Sequence, residues 1–135
     1  MSELVNPSNI YQKATHQMAP GIRAVLLNKI NEDNFSAVRI DMDPDAEFPW
    51  HVHPHSHFLI CLNGEGVMET EFGEDHLSRD LTTRVAGNIG HALKASSTGL
   101  QIISFGPPKE LEDPTRLVYW DTELSNNELY LTHKI

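Results

Sequence analysis

The stretch Pro49-Trp50-His51-Val52-His53-Pro54-His55-Ser56-His57 places four of the chain's eight histidines within seven residues, all at odd positions. In an extended chain alternate side chains point to the same face, so a strand here would set these imidazoles side by side. Neutral imidazole nitrogens bind divalent transition metals, and two of them two residues apart on a strand can converge on one ion. Further ligands must then come from elsewhere. His57 can supply one from the following strand once Pro54 has turned the chain, and His91 another after the turn Gly87-Asn88-Ile89-Gly90. His55 sits in the turn itself, beside Pro54, and reads as a surface or supporting group. A histidine run can also be a tag or a solvated metal-sequestering tract, but those lie at termini and lack apolar neighbours. This run is interior. It follows Phe48-Pro49-Trp50 and leads into Phe58-Leu59-Ile60-Cys61-Leu62, which puts it at the rim of a core.

Short strand-like pieces surround the cluster. Residues 22–28 and 35–42 are rich in apolar and β-branched side chains, and the polar Asn31-Glu32-Asp33-Asn34 between them makes a hairpin. Further strands are expected at 57–62, 66–72, 81–85, 100–105, 116–120 and 128–132, with turns at Asn63-Gly64, Gly73-Glu74, Gly87 to Gly90, Gly106-Pro107-Pro108 and Ser125 to Asn127. Only residues 8–18 could form a helix of note, with Ser8 as its N-cap and Pro20-Gly21 ending it. An all-β sandwich or barrel is the economical reading.

With 135 residues, the chain has room for one hydrophobic core and one domain. A net charge of −9, with ten basic residues against nineteen acidic ones, argues against nucleic acid and against an anionic membrane surface as partners. Cys61 is the sole cysteine, so neither an intramolecular disulfide nor a cysteine-based zinc module is available. The first thirty residues lack a basic segment followed by an apolar run, and no apolar stretch approaches a membrane span, so a cytoplasmic protein is expected.

The segment His51-x-His53-x3-His57-x6-Gly64 resembles the first motif of the cupin superfamily, and Asn63-Gly64-Glu65-Gly66 resembles its glycine-containing turn. Asp80 to Ala95 then occupies the second motif, with His91 at its histidine position, and Phe105-Gly106-Pro107-Pro108 is similar to the way small cupins leave the barrel. The resemblance covers roughly residues 40–107. It implies an all-β, double-stranded β-helix or jelly-roll barrel over about residues 22–107, flanked by a short helix or arm at 1–21 and by strands at 108–135. It further implies one divalent transition metal (Fe, Ni, Zn, Cu, Co or Mn) held by His51, His53, His57 and His91, and pairing into a homodimer through edge strands.

Two departures from the family pattern stand out. His57 replaces the usual Glu, and the second motif keeps its histidine but has Asp80, Ala86 and Asn88 where the family has Gly and a Pro-x-Gly turn. Four neutral ligands would leave the ion's double positive charge uncompensated, which favours nitrogen-loving metals and anionic oxygen ligands. Pocket walls for a small-molecule ligand or substrate are expected from Phe48, Trp50, Leu59, Cys61, Met68 and Phe105, since such pockets are mostly apolar. Cys61 also reads as a plain core residue. Arg39 and Arg84 could clamp a carboxylate or sit at solvated edges. The leading functional reading is an enzyme acting on a small oxygenated molecule by dioxygenase-like or enolate-stabilising chemistry. The alternatives are a non-catalytic metal-binding or ligand-sensing module, because four histidines can saturate a structural site, and a relative of ectoine synthase.

Overall fold

The computed structural model describes residues 7–30 and 33–107, and they form strands and turns with no helix. The strands are β1 (His16–Ala19), β2 (Ile22–Ile30), β3 (Phe35–Met42), β4 (Glu47–His51), β5 (His57–Thr70), β6 (Gly73–Ser78), β7 (Thr82–Val85) and β8 (His91–Gly106). The strands expected at 116–120 and 128–132 lie outside the described residues.

Strands β5 and β8 form the spine. They run antiparallel from Phe58↔Phe105 to Thr70↔His91, and their register shifts between Cys61 and Asn63 and again between Gly64 and Gly66. At those bulges the pair bends, so each strand contributes to two layers. One layer runs β1-β2-β3, then the second half of β8, the first half of β5, and β7; the other is β4, the first half of β8, the second half of β5, and β6. The product is a jelly-roll barrel.

Alternation fills its interior. Ile22 and Ala24 of β2, Val38, Ile40 and Met42 of β3, and Leu59 and Cys61 of β5 are spaced two apart and meet in one buried cluster. One position expected to be a turn is a bend inside a long strand. Asn63-Gly64 does not end a strand, and the strands expected at 57–62 and 66–72 are one, β5, which ends at Thr70. Likewise, the expected strand 100–105 is the second half of the sixteen-residue β8.

The helix expected over 8–18 does not form. The Asn9 side-chain oxygen accepts from the Tyr11 amide at 2.8 Å, and Gln12 N bonds Asn9 O at 3.1 Å, which closes a single turn. Asn side chains compete with helical hydrogen bonding in this way. The Ile10 carbonyl that a helix would use accepts instead from Arg39 Nη1 at 2.7 Å. The chain then pairs as β1 with β2, and Pro20-Gly21 forms the hairpin turn, with Gly21 at φ 74°. Arg39 is thereby buried on the outer face of β3, where its Nε and Nη2 grip the Asp41 carboxylate at 2.9 and 2.8 Å.

Candidate metal centre

The histidines are brought together by one ladder and one loop. His51 ends β4 and pairs directly with His91, the first residue of β8. Between Phe48 and His51 the register slips: β4 advances three residues while β8 retreats two, from Leu93 to His91. That bulge sets Phe48 and His51 on one side, with ring centroids 4.9 Å apart, where strict alternation would oppose them. His53 lies beyond the strand, in the loop before β5. Its position is held by its carbonyl, which accepts from Asn88 N at 2.7 Å, while Ser56 Oγ accepts from Gly87 N at 3.0 Å. The loop carrying His53 is thus stitched to the turn leading to His91. A Cβ on Gly87 would fall 2.4 Å from the Pro54 carbonyl oxygen, so the close approach requires glycine there.

All four expected ligands are buried. The ring centroids of His51 and His91 are 4.2 Å apart, those of His53 and His91 4.9 Å, and those of His51 and His53 5.4 Å. These three histidines each offer a nitrogen within 4.8 Å of the others. His57, at the start of β5, stands beside them with its ring edge-on to His53 at 4.9 Å.

The second nitrogen of each ring shows how the three are oriented. Nδ1 of His51 meets the Pro49 carbonyl at 2.8 Å, Nδ1 of His53 the His55 carbonyl at 2.9 Å, and Nδ1 of His91 the Ile89 carbonyl at 2.9 Å. A carbonyl only accepts, so in each neutral ring the proton sits on Nδ1 and the lone pair on Nε2. Metal-binding histidines are commonly fixed this way, the far N–H donating to a carbonyl or carboxylate. His55 thus contributes through its backbone. The donor set fits one nitrogen-loving divalent ion, and among the described residues no carboxylate or ammonium is buried beside it.

Burial, reinforced by the neighbouring His91 and His53, pushes the pKa of His51 well below its ordinary value of 6.5. Its folded pKa is lowered, so below about pH 6.5 the unfolded chain takes up a proton that the folded chain refuses. In the metal-free protein, stability should therefore fall as the pH drops from 6.5 toward the folded value, by up to about 1.4 kcal/mol per pH unit for one such group. Urea midpoints measured between pH 7.5 and 5 should decline, and less steeply in His51→Leu. Parallel declines in the two proteins would assign the effect to other groups.

Of the expected pocket walls, Phe48, Leu59, Cys61 and Met68 pack into the core cluster, Phe48 against His51. Burial raises the Cys61 thiol pKa above its ordinary value, as suits a core residue. Trp50 is half-buried, and its indole rests on Gly90, where a Cβ would come within 2.8 Å of Nε1. Phe105 is placed on the other face of β8, stacked at 6.1 Å on Phe35 and lining an outer groove with Phe58 and Arg84. Arg39 is committed to Asp41, and the exposed Arg84 lines that outer groove, which His57 also borders.

No protein-family model and no curated protein matches the sequence. Solved structures do match the fold. KdgF from Halomonas sp. superposes with a TM-score of 0.68 at 18% identity, covering 76% of this chain and 93% of that one. An RmlC-like cupin from Shewanella frigidimarina NCIMB 400 gives 0.67 at 22% identity, covering 80% and 95%. Ectoine synthase from P. lautus gives 0.58 at 17% identity, covering 70% and 68%. The chain therefore has the cupin fold, with a buried histidine cluster at the end of its barrel. At these identities the likeness carries the architecture alone.

Proposed function

We propose that this protein holds one divalent transition metal with Nε2 of His51, His53 and His91 and uses it to bind and transform a small oxygenated anion. The observation that carries this reading is the common wiring of the three rings, each with Nδ1 on a backbone carbonyl and a ring nitrogen within 4.8 Å of the other two, which leaves Nε2 as the ligand atom. Three protein ligands are the number found in catalytic sites that keep a position open, whereas closed structural sites use four. A bound ion would supply Lewis-acid polarisation of a substrate oxygen, or one-electron chemistry if it is redox-active.

The residues of the chain do the rest. Three neutral imidazoles leave the ion's charge uncompensated, and no buried carboxylate competes for it among the described residues, so an anion is favoured as the incoming ligand. Phe48 against His51, with Met68 and Leu93 buried nearby in the same core, makes the surroundings apolar and strengthens that attraction. The likeness to ectoine synthase and the other cupins supports a small-molecule site in a barrel without choosing the reaction.

The test is to load the protein with Co(II) and titrate it with oxalate and with its neutral isostere oxamide, following the visible spectrum. Oxalate should perturb the spectrum at concentrations at least about tenfold lower, a difference of about 1.4 kcal/mol. Equal responses, or none, would remove the anion site.

A further inference from the structure

His57 differs from the other three histidines in what its Nδ1 faces. Its partner is a hydroxyl, Ser104 Oγ, at 3.1 Å, and a hydroxyl can donate or accept. The surroundings of Ser104 decide between the two. Ser104 is 9% exposed, and among the described residues its side chain has one hydrogen-bond partner, His57 Nδ1. If Nδ1–H donated to the hydroxyl, the hydroxyl proton would be buried without an acceptor. If the hydroxyl donates to Nδ1, both groups are satisfied, and the imidazole proton must then sit on Nε2. Leaving a buried donor unmade is the costlier choice. Gly106 leaves room for the ring against Ser104, since a Cβ there would lie 2.6 Å from Nδ1 and 2.8 Å from Cε1.

We propose that Ser104 holds His57 as the Nε2–H tautomer, opposite to His51, His53 and His91, so that His57 serves the site as a hydrogen-bond donor to a bound anion instead of as a fourth ligand. The functional half of this rests on the metal reading above. Two placements support it: His57 falls outside the group of three whose nitrogens lie mutually within 4.8 Å, and its ring is edge-on to His53, next to that group. The ligand it fits is an anion with two oxygen atoms, one for the ion and one to accept from Nε2–H, as in a carboxylate or the enolate of a dicarbonyl compound. Ser104 is then a positioning residue, acting through His57.

The experiment is nitrogen-15 NMR of the histidine rings in the full chain, metal-free and zinc-loaded, with single His→Gln variants for assignment. The expected spectra show Nδ1–H rings for His51, His53 and His91 and an Nε2–H ring for His57, with zinc shifting Nε2 of the first three only. Ser104→Ala should abolish the Nε2–H preference of His57, and Ser104→Thr, which keeps the hydroxyl, should retain it. In the Co(II)-loaded protein, Ser104→Ala should also weaken azide binding about tenfold, the loss expected for one hydrogen bond to a charged group. An Nδ1–H ring for His57 with a zinc-shifted Nε2 would overturn the proposal and make His57 a fourth ligand. Zinc shifts at none of the four rings would instead remove the metal reading, while the metal-free spectrum would still decide the tautomer.

Discussion

The double variant His51→Ala/His53→Ala should be recovered essentially free of metal, where the parent carries about one divalent ion per chain. Three convergent imidazoles can hold an ion; on this reading the one left in the variant, His91, cannot hold it through purification. The variant should keep the fold. His51 is the last residue of β4 and His53 lies in a loop, so neither is part of the Ile22, Val38, Leu59 and Ile102 core, and the β-dominated circular dichroism should persist. Elemental analysis of the two proteins purified side by side reads the result. A fully loaded double variant would place the ion elsewhere and end the assignment.

Gly64→Ala should be the most destabilising single change considered, costing more than about 3 kcal/mol, the top of the ordinary range for point substitutions. Two independent effects add. Gly64 has φ 79°, a left-handed conformation that side chains disfavour, and a Cβ there would sit 2.1 Å from the Gly99 carbonyl oxygen and 2.8 Å from its carbon. The obstacle is backbone on the partner spine strand, at the bend where β5 and β8 pass from one layer to the other, so nothing flexible can yield. Gly73→Ala is the control, because Gly73 also has positive φ, 134°, but a Cβ would meet nothing within 4 Å. It should cost only the backbone strain, about 1 kcal/mol. In thermal melts the two variants should separate by roughly 10 °C. Equal losses would mean that the close approach of the spine strands is relaxed in solution.

These two glycines, and the histidines, show what the sequence could and could not reveal. The odd-numbered run from His51 to His57 and the glycine-flanked His91 were readable because side chains of one chemical type sat beside turn residues and apolar strands. Strands β2 and β3 fell within two residues of the expected 22–28 and 35–42, since each is a long apolar run with clear ends. β6 went unseen because, as an edge strand, it buries only Leu77 and its sequence, GEDHLS, carries no alternating pattern. The first half of β8 was not expected as a strand, because Ser96-Ser97-Thr98-Gly99 interrupts its apolar pattern. The alternation argument placed His51 and His53 on one strand face, yet His53 reaches the cluster from a loop tied to the turn before β8.

The parts of the site that fix its chemistry left the least trace. Carbonyls of Pro49, His55 and Ile89 orient the three rings, and a backbone carbonyl has no side-chain signature to read. Ser104 lies 47 residues from His57, and only the pairing of β5 with β8, Leu59 opposite Ser104, brings them together. Arg39 looked available for a carboxylate because its strand was legible while the turn over it, with the Ile10 carbonyl, was not.

The most direct test of the metal centre is a crystal structure of the metal-loaded protein with data collected on both sides of the metal's absorption edge. The expected result is one anomalous peak per chain, with Nε2 of His51, His53 and His91 as its protein ligands and Nδ1 of each still on its carbonyl. A peak that lacks any of those three nitrogens, or no peak in this part of the barrel, would contradict it.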